Sequence, residues 1–348
     1  MYHNNTGAKT GFENPLISDI YGRASYYYYT LLSGEDKKVY RVILDGLKNY
    51  LKEIRIPARH IDETSRIFNC VLQDSPLVFY TKSMMQYSIA GSSFCTLKPQ
   101  YTIEKNEVNE YLEGICGYLR ALDKVSNRSG YDKELFVHDF CLDHYRYDRS
   151  IGKHAYTILG PVLCSTAVCE GIAKFVKLAF DYLDVRSLLV SGKAMSPSPG
   201  GAMEGHAWNI IKLDGTTYHL DVTFDLTLTT NGKRYDYFNL SDEDIRKDHV
   251  PEGSIPVCGF SGMDYYTANS LSVKGLVGFE KFISNNLERG ITHVIVKITD
   301  TPFSQKLVDN VIETAIQQYM EIFDRSVFVN TAYNSSQVVF EVECKRGE

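Results

Sequence analysis

Residues 164–183 read Cys-Ser-Thr-Ala-Val-Cys-Glu-Gly-Ile-Ala-Lys-Phe-Val-Lys-Leu-Ala-Phe-Asp-Tyr-Leu. Residues 205–225 read Gly-His-Ala-Trp-Asn-Ile-Ile-Lys-Leu-Asp-Gly-Thr-Thr-Tyr-His-Leu-Asp-Val-Thr-Phe-Asp. In the first run, Ile172, Phe175, Val176, Ala179, Tyr182 and Leu183 recur at helical spacing, which predicts an amphipathic helix over 169–183. Cys169 then opens the helix, where unpaired backbone N–H groups carry partial positive charge and favour a thiolate over a thiol. In the second run, Asp214-Gly215 between two β-branched, aromatic-rich segments predicts a two-residue hairpin turn. The expected strands are 206–213 and 216–223.

With that turn, Leu213 pairs with Thr216, Trp208 with Asp221, and His206 with Thr223. Alternation puts His206, Trp208, Asp221 and Thr223 on one face. His206 and Asp221 become diagonal neighbours, about 7–8 Å apart at the backbone. A carboxylate there can fix the imidazole tautomer while the other ring nitrogen serves a thiol. A three-residue loop would move Asp221 to the opposite face. Taken singly, each residue has a plainer use: Cys169 as a packing thiol, His206 as a core or surface histidine, Asp221 as a strand-end carboxylate. Together, a helix-opening cysteine, a strand histidine and a same-face aspartate favour catalysis, so Cys169, His206 and Asp221 are the candidate catalytic residues. Cys164 lacks the helix-start context, and His154 has no carboxylate in an evident strand relation to it. Both are weaker rivals.

These segments resemble the transglutaminase-like superfamily, the papain-related branch with Cys, His and Asp in this order. The matching residues are Val168-Cys169-Glu170-Gly171, Gly205-His206-Ala207-Trp208-Asn209 and Tyr218-His219-Leu220-Asp221-Val222-Thr223-Phe224-Asp225. Thr217 stands where an aromatic residue is common, Phe224 where Trp is usual and Ile172 where Tyr is common, which bears on substrate shape and leaves the three catalytic groups intact. The resemblance extends from Tyr131 to Val250. It implies an α+β fold: a core with the cysteine helix packed on an antiparallel sheet that carries the histidine and aspartate. It also implies a thiol enzyme of the bacterial transglutaminase-like cysteine peptidase type, acting on protein or peptide amides, with hydrolysis favoured over cross-linking. The alternative is a catalytically silent protein-binding scaffold. The zinc-binding cysteine pairs of the glycan-removing amidases and the glycine-rich cysteine motif of the arylamine acetyltransferases do not occur here.

The 348 residues carry a formal net charge of −6 and no basic run, so nucleic acid is not an expected partner. No apolar stretch reaches transmembrane length, and no membrane association is expected. The first residues lack a signal-peptide core, and eight scattered cysteines suggest neither a disulfide framework nor a zinc site. Together these features fit a reducing, cytoplasmic setting. No metal or organic cofactor is implied, and the aspartates of 214–225 do not match a calcium loop. The sequence leaves the oligomeric state open.

Along the chain, residues 1–20 read as a loose tail, 21–130 as a mainly helical region with a β-hairpin, 131–260 as the catalytic core, and 261–348 as a small α+β domain. Tyr26 to Tyr29 are expected to pack between elements, and Ser33 to cap a helix that runs through Ile54 until Pro57 stops it. Helices are also expected over 62–72, 104–125 and 131–144. Cys70, Cys116 and Cys141 read as buried packing thiols. Residues 196–205 form a candidate lid, His249 reads as a surface loop residue, and strand 292–298 reads as central in its sheet.

Overall fold

The computed structural model describes residues 14–90, 93–195 and 202–347. The chain divides into two compact units, residues 1–191 with 206–217 and residues 192–205 with 218–348.

The first unit begins with α1 (Pro15–Arg23), α2 (Tyr27–Thr30), α3 (Gly34–Lys48), β1 (Ile54–Pro57) and α4 (Ile61–Asp74). The Asn14 side chain accepts from the Leu16 N–H, and Ile17 and Ile20 are buried. Residues 15–20 are therefore helix rather than tail, because an N-cap followed by Pro at the first turn starts a helix there. The tail expected over residues 1–13 lies outside the described residues. Ser33 caps α3 as expected, its Oγ accepting from the Asp36 N–H at 3.2 Å. That helix ends at Lys48 and not at Pro57, since Tyr50 turns to φ 55° and Ile54 returns in β1. A Cβ on Gly46 would stand 2.6 Å from the Ile54 side chain, so glycine is what lets the strand fold back onto the helix.

Next come β2 (Thr81–Ala90), β3 (Phe94–Tyr101) and α5 (Lys105–Leu119), a 3-10 turn over Arg120–Val125, and α6 (Gly130–His144). Strands β1, β3 and β2 form an antiparallel sheet in that order. The tyrosine run packs between elements, as expected. The Tyr28 and Tyr29 amides and the Tyr40 hydroxyl all donate to the buried Asp74 carboxylate, at 3.0, 2.9 and 3.0 Å. Burial nonetheless pushes the Asp74 pKa up to about 7, with Lys177 acting against it.

The core follows with β4 (Arg146–Tyr147), a π-helical turn over Gly160–Cys164, β5 (Thr166–Ala167), α7 (Cys169–Tyr182), β6 (Arg186–Met195), β7 (Met203–Leu213) and β8 (Thr216–Leu220). β4 and β5 pair in parallel. The helix predicted over 169–183 is α7. Its Lys177 is fully buried and satisfied by Asp181 at 2.8 Å and the Ser25 carbonyl at 3.1 Å. Between β7 and β8, Asp214 and Gly215 take φ 46° and 94°, the pair of positive values a two-residue type I′ turn needs. The returning strand stops at Leu220 instead of Thr223, because Asp221 turns the chain into a helix.

The second unit continues with α8 (Val222–Leu228), β9 (Phe238–Leu240), α9 (Asp242–Ile245), β10 (His249–Pro251), α10 (Tyr265–Ala268), β11 (Ser272–Lys274), α11 (Gly275–Glu288), β12 (His293–Thr299), α12 (Gln305–Phe323), β13 (Val327–Asn334) and β14 (Val339–Arg346). One sheet has the order β10-β6-β7-β8-β9. The other has the order β11-β12-β14-β13, with the apolar β12 in its interior as expected. Phe279, Ile283, Leu287, Val296, Val311 and Phe340 build the core between this sheet and α11 and α12. The chain is thus an α+β protein with mainly antiparallel sheets. No helix among the described residues is long and apolar enough to cross a membrane.

Candidate active site

In the first unit, Cys169 is the first residue of α7 and is partly exposed. The N-cap position is Val168, which has no side-chain acceptor, so no capping side chain occupies the first-turn amides. The partial positive charge of a helix start favours a negative charge there. Val168 is fixed by its N–H donating to the Ala155 carbonyl at 3.2 Å. The segment 155–157 lies directly against the helix start. A Cβ on Gly171 would stand 2.2 Å from the Ala155 carbonyl oxygen and 2.9 Å from the Ala167 Cβ. Lys174 fastens the same segment, donating to the Tyr156 carbonyl at 3.2 Å and to Glu170 at 2.5 Å.

Gly171→Ala is therefore expected to force the backbone of 155–157 away and to cost about 1–3 kcal/mol of stability. Urea unfolding measures the loss, and alkylation of Cys169 should slow with it. Gly114→Ala, in α5 where an added Cβ meets nothing within 4 Å, serves as the comparison and should be neutral or mildly stabilising.

His206 lies on β7, partly buried, its ring stacked 6.0 Å from that of Trp208 at 17°. The alternate residues seat the strand. Ala207 belongs to a buried cluster with Ala173 and Leu189, and the Asn209 amide donates to the Ala173 carbonyl at 3.0 Å. Ala173 is one helical turn after Cys169. The buried Asn209 of the His-Ala-Trp-Asn run thus ties the histidine strand to the cysteine helix. The rival His154 is in the same unit, its pKa lowered by burial and by Lys153. The other rival, Cys164, ends the π-helical turn and is exposed. Cys116 and Cys141 are buried as expected, whereas Cys70 is only partly so. Burial pushes the Cys70 and Cys344 thiols up to about 11.

The second unit holds Asp221, which is 1% exposed. It is the N-cap of α8, with Oδ1 accepting from the Thr223 and Phe224 amides at 2.9 and 3.2 Å. Its Oδ2 lies 3.0 Å from His249 Nε2. The reading of His249 as a surface residue is overturned: it is fully buried in β10, paired with Ala194 of β6. Its Nδ1 is 2.6 Å from Asp248 Oδ1, and the Tyr237 hydroxyl donates to the other Asp248 oxygen at 2.6 Å. The rings of Phe224 and Tyr237 pack on the imidazole at 4.7 and 5.5 Å. Sequence reasoning missed this histidine because His249-Val250-Pro251 follows a turn-rich stretch, where a three-residue strand leaves no periodic signal. The adjacent Asp248-His249 pair was the available clue.

Burial alone would lower the His249 pKa, but the hydrogen bonds and charges of Asp221 and Asp248 outweigh it and hold the value above 6.5. Because the folded value lies above the unfolded one, the stabilisation is fully present below about pH 6.5 and is lost as pH rises through the folded pKa. The urea midpoint is expected to fall with rising pH above 7, and His249→Gln to flatten that slope.

The candidate lid lies mostly outside the described residues, which resume at Ala202. No family model and no curated protein matches the chain. Among solved structures, a chain from Cytophaga hutchinsonii provisionally named a cysteine protease is similar over 50% of this chain and 65% of its own. The identity is 13% and the TM-score 0.28. A structure named a TGase is similar over 64% of this chain and 58% of its own, at 13% identity and a TM-score of 0.31. The chain spans less than two thirds of the length of either, and both likenesses are distant.

Proposed function

We propose that this chain is a transglutaminase-like thiol enzyme that transfers acyl groups from protein or peptide amides through Cys169, usually to water. The observation that carries the reading is the partly exposed thiol at the start of a 14-residue helix whose N-cap offers no side-chain acceptor. Cys169 Sγ gives its proton to His206 and attacks the amide carbonyl carbon, forming the S–C bond. The developing oxyanion is met by first-turn N–H groups, that of Cys169 among them. The C–N bond then breaks, and the amine leaves with the proton from His206. Water, deprotonated by His206, releases the acid and restores the thiol. An amine in place of water would give cross-linking. Asp221 is assigned to orient His206 and stabilise its cation.

A second reading has a specific observation behind it. Both oxygens of Asp221 accept bonds that hold α8 and His249 in place. A purely structural aspartate would suit a silent binding scaffold of the same ancestry.

An activated ester separates the two. With p-nitrophenyl acetate the enzyme reading predicts a burst of one p-nitrophenol per chain. It also predicts an acetyl group mapped to Cys169 and removed by neutral hydroxylamine, as a thioester is. Acetylation without a burst, spread over the accessible cysteines, would instead support the scaffold.

A further inference from the structure

The second unit contains another thiol, imidazole and carboxylate that the proposed chemistry does not use. His219 lies on β8, Asp242 opens α9, and Cys258 follows β10. His219 and Cys258 are fully buried, and the Asp242 side chain is 19% exposed. His219 Nε2 is 3.0 Å from Asp242 Oδ1. One donor atom from each of the three residues lies within 4.8 Å of the others.

The frame that holds them is short-range and doubly fixed. His219 pairs with Leu240 in the β8–β9 ladder, two residues before Asp242. The Asp242 N–H donates to the Cys258 carbonyl at 2.7 Å, and the Cys258 N–H donates back to Asp242 Oδ2 at 3.1 Å. This reciprocal pair commits Oδ2 to the loop and leaves Oδ1 on the side of His219. It also draws Cys258 inward although its neighbour Val257 is 78% exposed.

We propose that His219, Asp242 and Cys258 form a divalent-metal site suited to zinc. Imidazole nitrogen, carboxylate oxygen and thiolate sulfur are the three protein donors zinc accepts. Donors about 2.0–2.3 Å from a tetrahedral ion are about 3.3–3.8 Å from one another. His219 Nε2 and Asp242 Oδ1 stand 3.0 Å apart and no donor is more than 4.8 Å from another, so small side-chain rotations bring the three onto one ion. Binding converts the Cys258 thiol to a thiolate, and its proton goes to solvent. The fourth position is left for water. Arg246, 3.9 Å from Asp242 Oδ1 and with its side chain more than half exposed, can swing into solvent as the ion enters. The ion would staple the Cys258 loop to β8 and α9, a structural role independent of Cys169.

Cobalt(II) tests this on the full chain. Metal-free Cys169→Ala protein removes the helix-start thiol as a competing ligand. Titration is expected to give a sulfur-to-cobalt charge-transfer band that saturates at one equivalent, is displaced by zinc, and is accompanied by a rise in Tm. Adding Cys258→Ala should abolish the band, and adding Cys164→Ala should leave it intact. Asp242→Asn keeps the side-chain shape and should weaken zinc binding at least tenfold without loss of fold by circular dichroism. Absence of the band in the Cys169→Ala protein, or its persistence after Cys258→Ala, overturns the proposal. If the Cys258 variant does not fold, unchanged zinc affinity in Asp242→Asn overturns it instead.

Discussion

Cys169→Ala is expected to abolish the ester burst and to lower any amide turnover by about 10^4-fold or more, the scale on which loss of a nucleophile is felt. The fold should survive. The side chain is partly exposed, and the substitution deletes a single sulfur at the first residue of α7, so the stability change should stay within about 1 kcal/mol. A large loss of activity with an unchanged urea midpoint would place the residue in the chemistry and not in the core. Cys164→Ala is the matched control, being exposed but at the end of a π-helical turn instead of the start of a helix. It should retain the burst. Cysteines buried in apolar surroundings are not rivals here, since burial disfavours their thiolates.

Asp221→Ala carries the second large effect, and it falls on stability as well as on rate. The substitution removes the acceptor for two buried amides of α8, a loss of about 1 kcal/mol for a cap alone. It also strips one of two carboxylates from the buried His249, and breaking a buried ionic pair costs about 3–5 kcal/mol. Together these should move the urea midpoint more than any other single change at the site. Asp221→Asn separates the two roles. Its amide oxygen still caps α8, so the share of the loss that comes from the cap is spared, while the charge and its pairing with His249 are gone. If Asp221 orients His206 as proposed, Asp221→Asn should cost about 10^4-fold in kcat even so. A folded Asp221→Asn protein with normal acyl transfer would make the residue purely structural. The companion His249→Gln should be destabilising mainly below pH 7, where the imidazolium contributes.

The helix start at Cys169 and the hairpin at Asp214-Gly215 were legible because each rests on a local signal. One is a 3.6-residue apolar period over a full helix, and the other is a dipeptide that supplies two positive φ values. The strand's end was not legible. Val222, Thr223 and Phe224 are β-formers by propensity, but the Asp221 carboxylate satisfies two amides and turns the chain into α8, a case of side-chain capping overriding intrinsic preference. Ile54 misled in the same way, since its spacing continues the α3 stripe while Gly46 opens the space that lets it return as a strand. His249 was hidden for a different reason. Its burial depends on pairing with Ala194, 55 residues earlier in the chain, and on charges from Asp221 and Asp248, none of which a local window contains. The structural duty of Asp221 was likewise invisible, because a cap and a catalytic carboxylate have the same sequence.

The most direct measurement is the pH dependence of iodoacetamide alkylation at Cys169, mapped by peptide mass, in the wild type and in His206→Ala. Cys169 is expected to be alkylated faster than Cys164 at every pH tested. His206→Ala is expected to remove this advantage. Reaction at Cys169 no faster than at Cys164, and indifferent to His206, would contradict a working thiol–imidazole pair and leave the chain a binding scaffold.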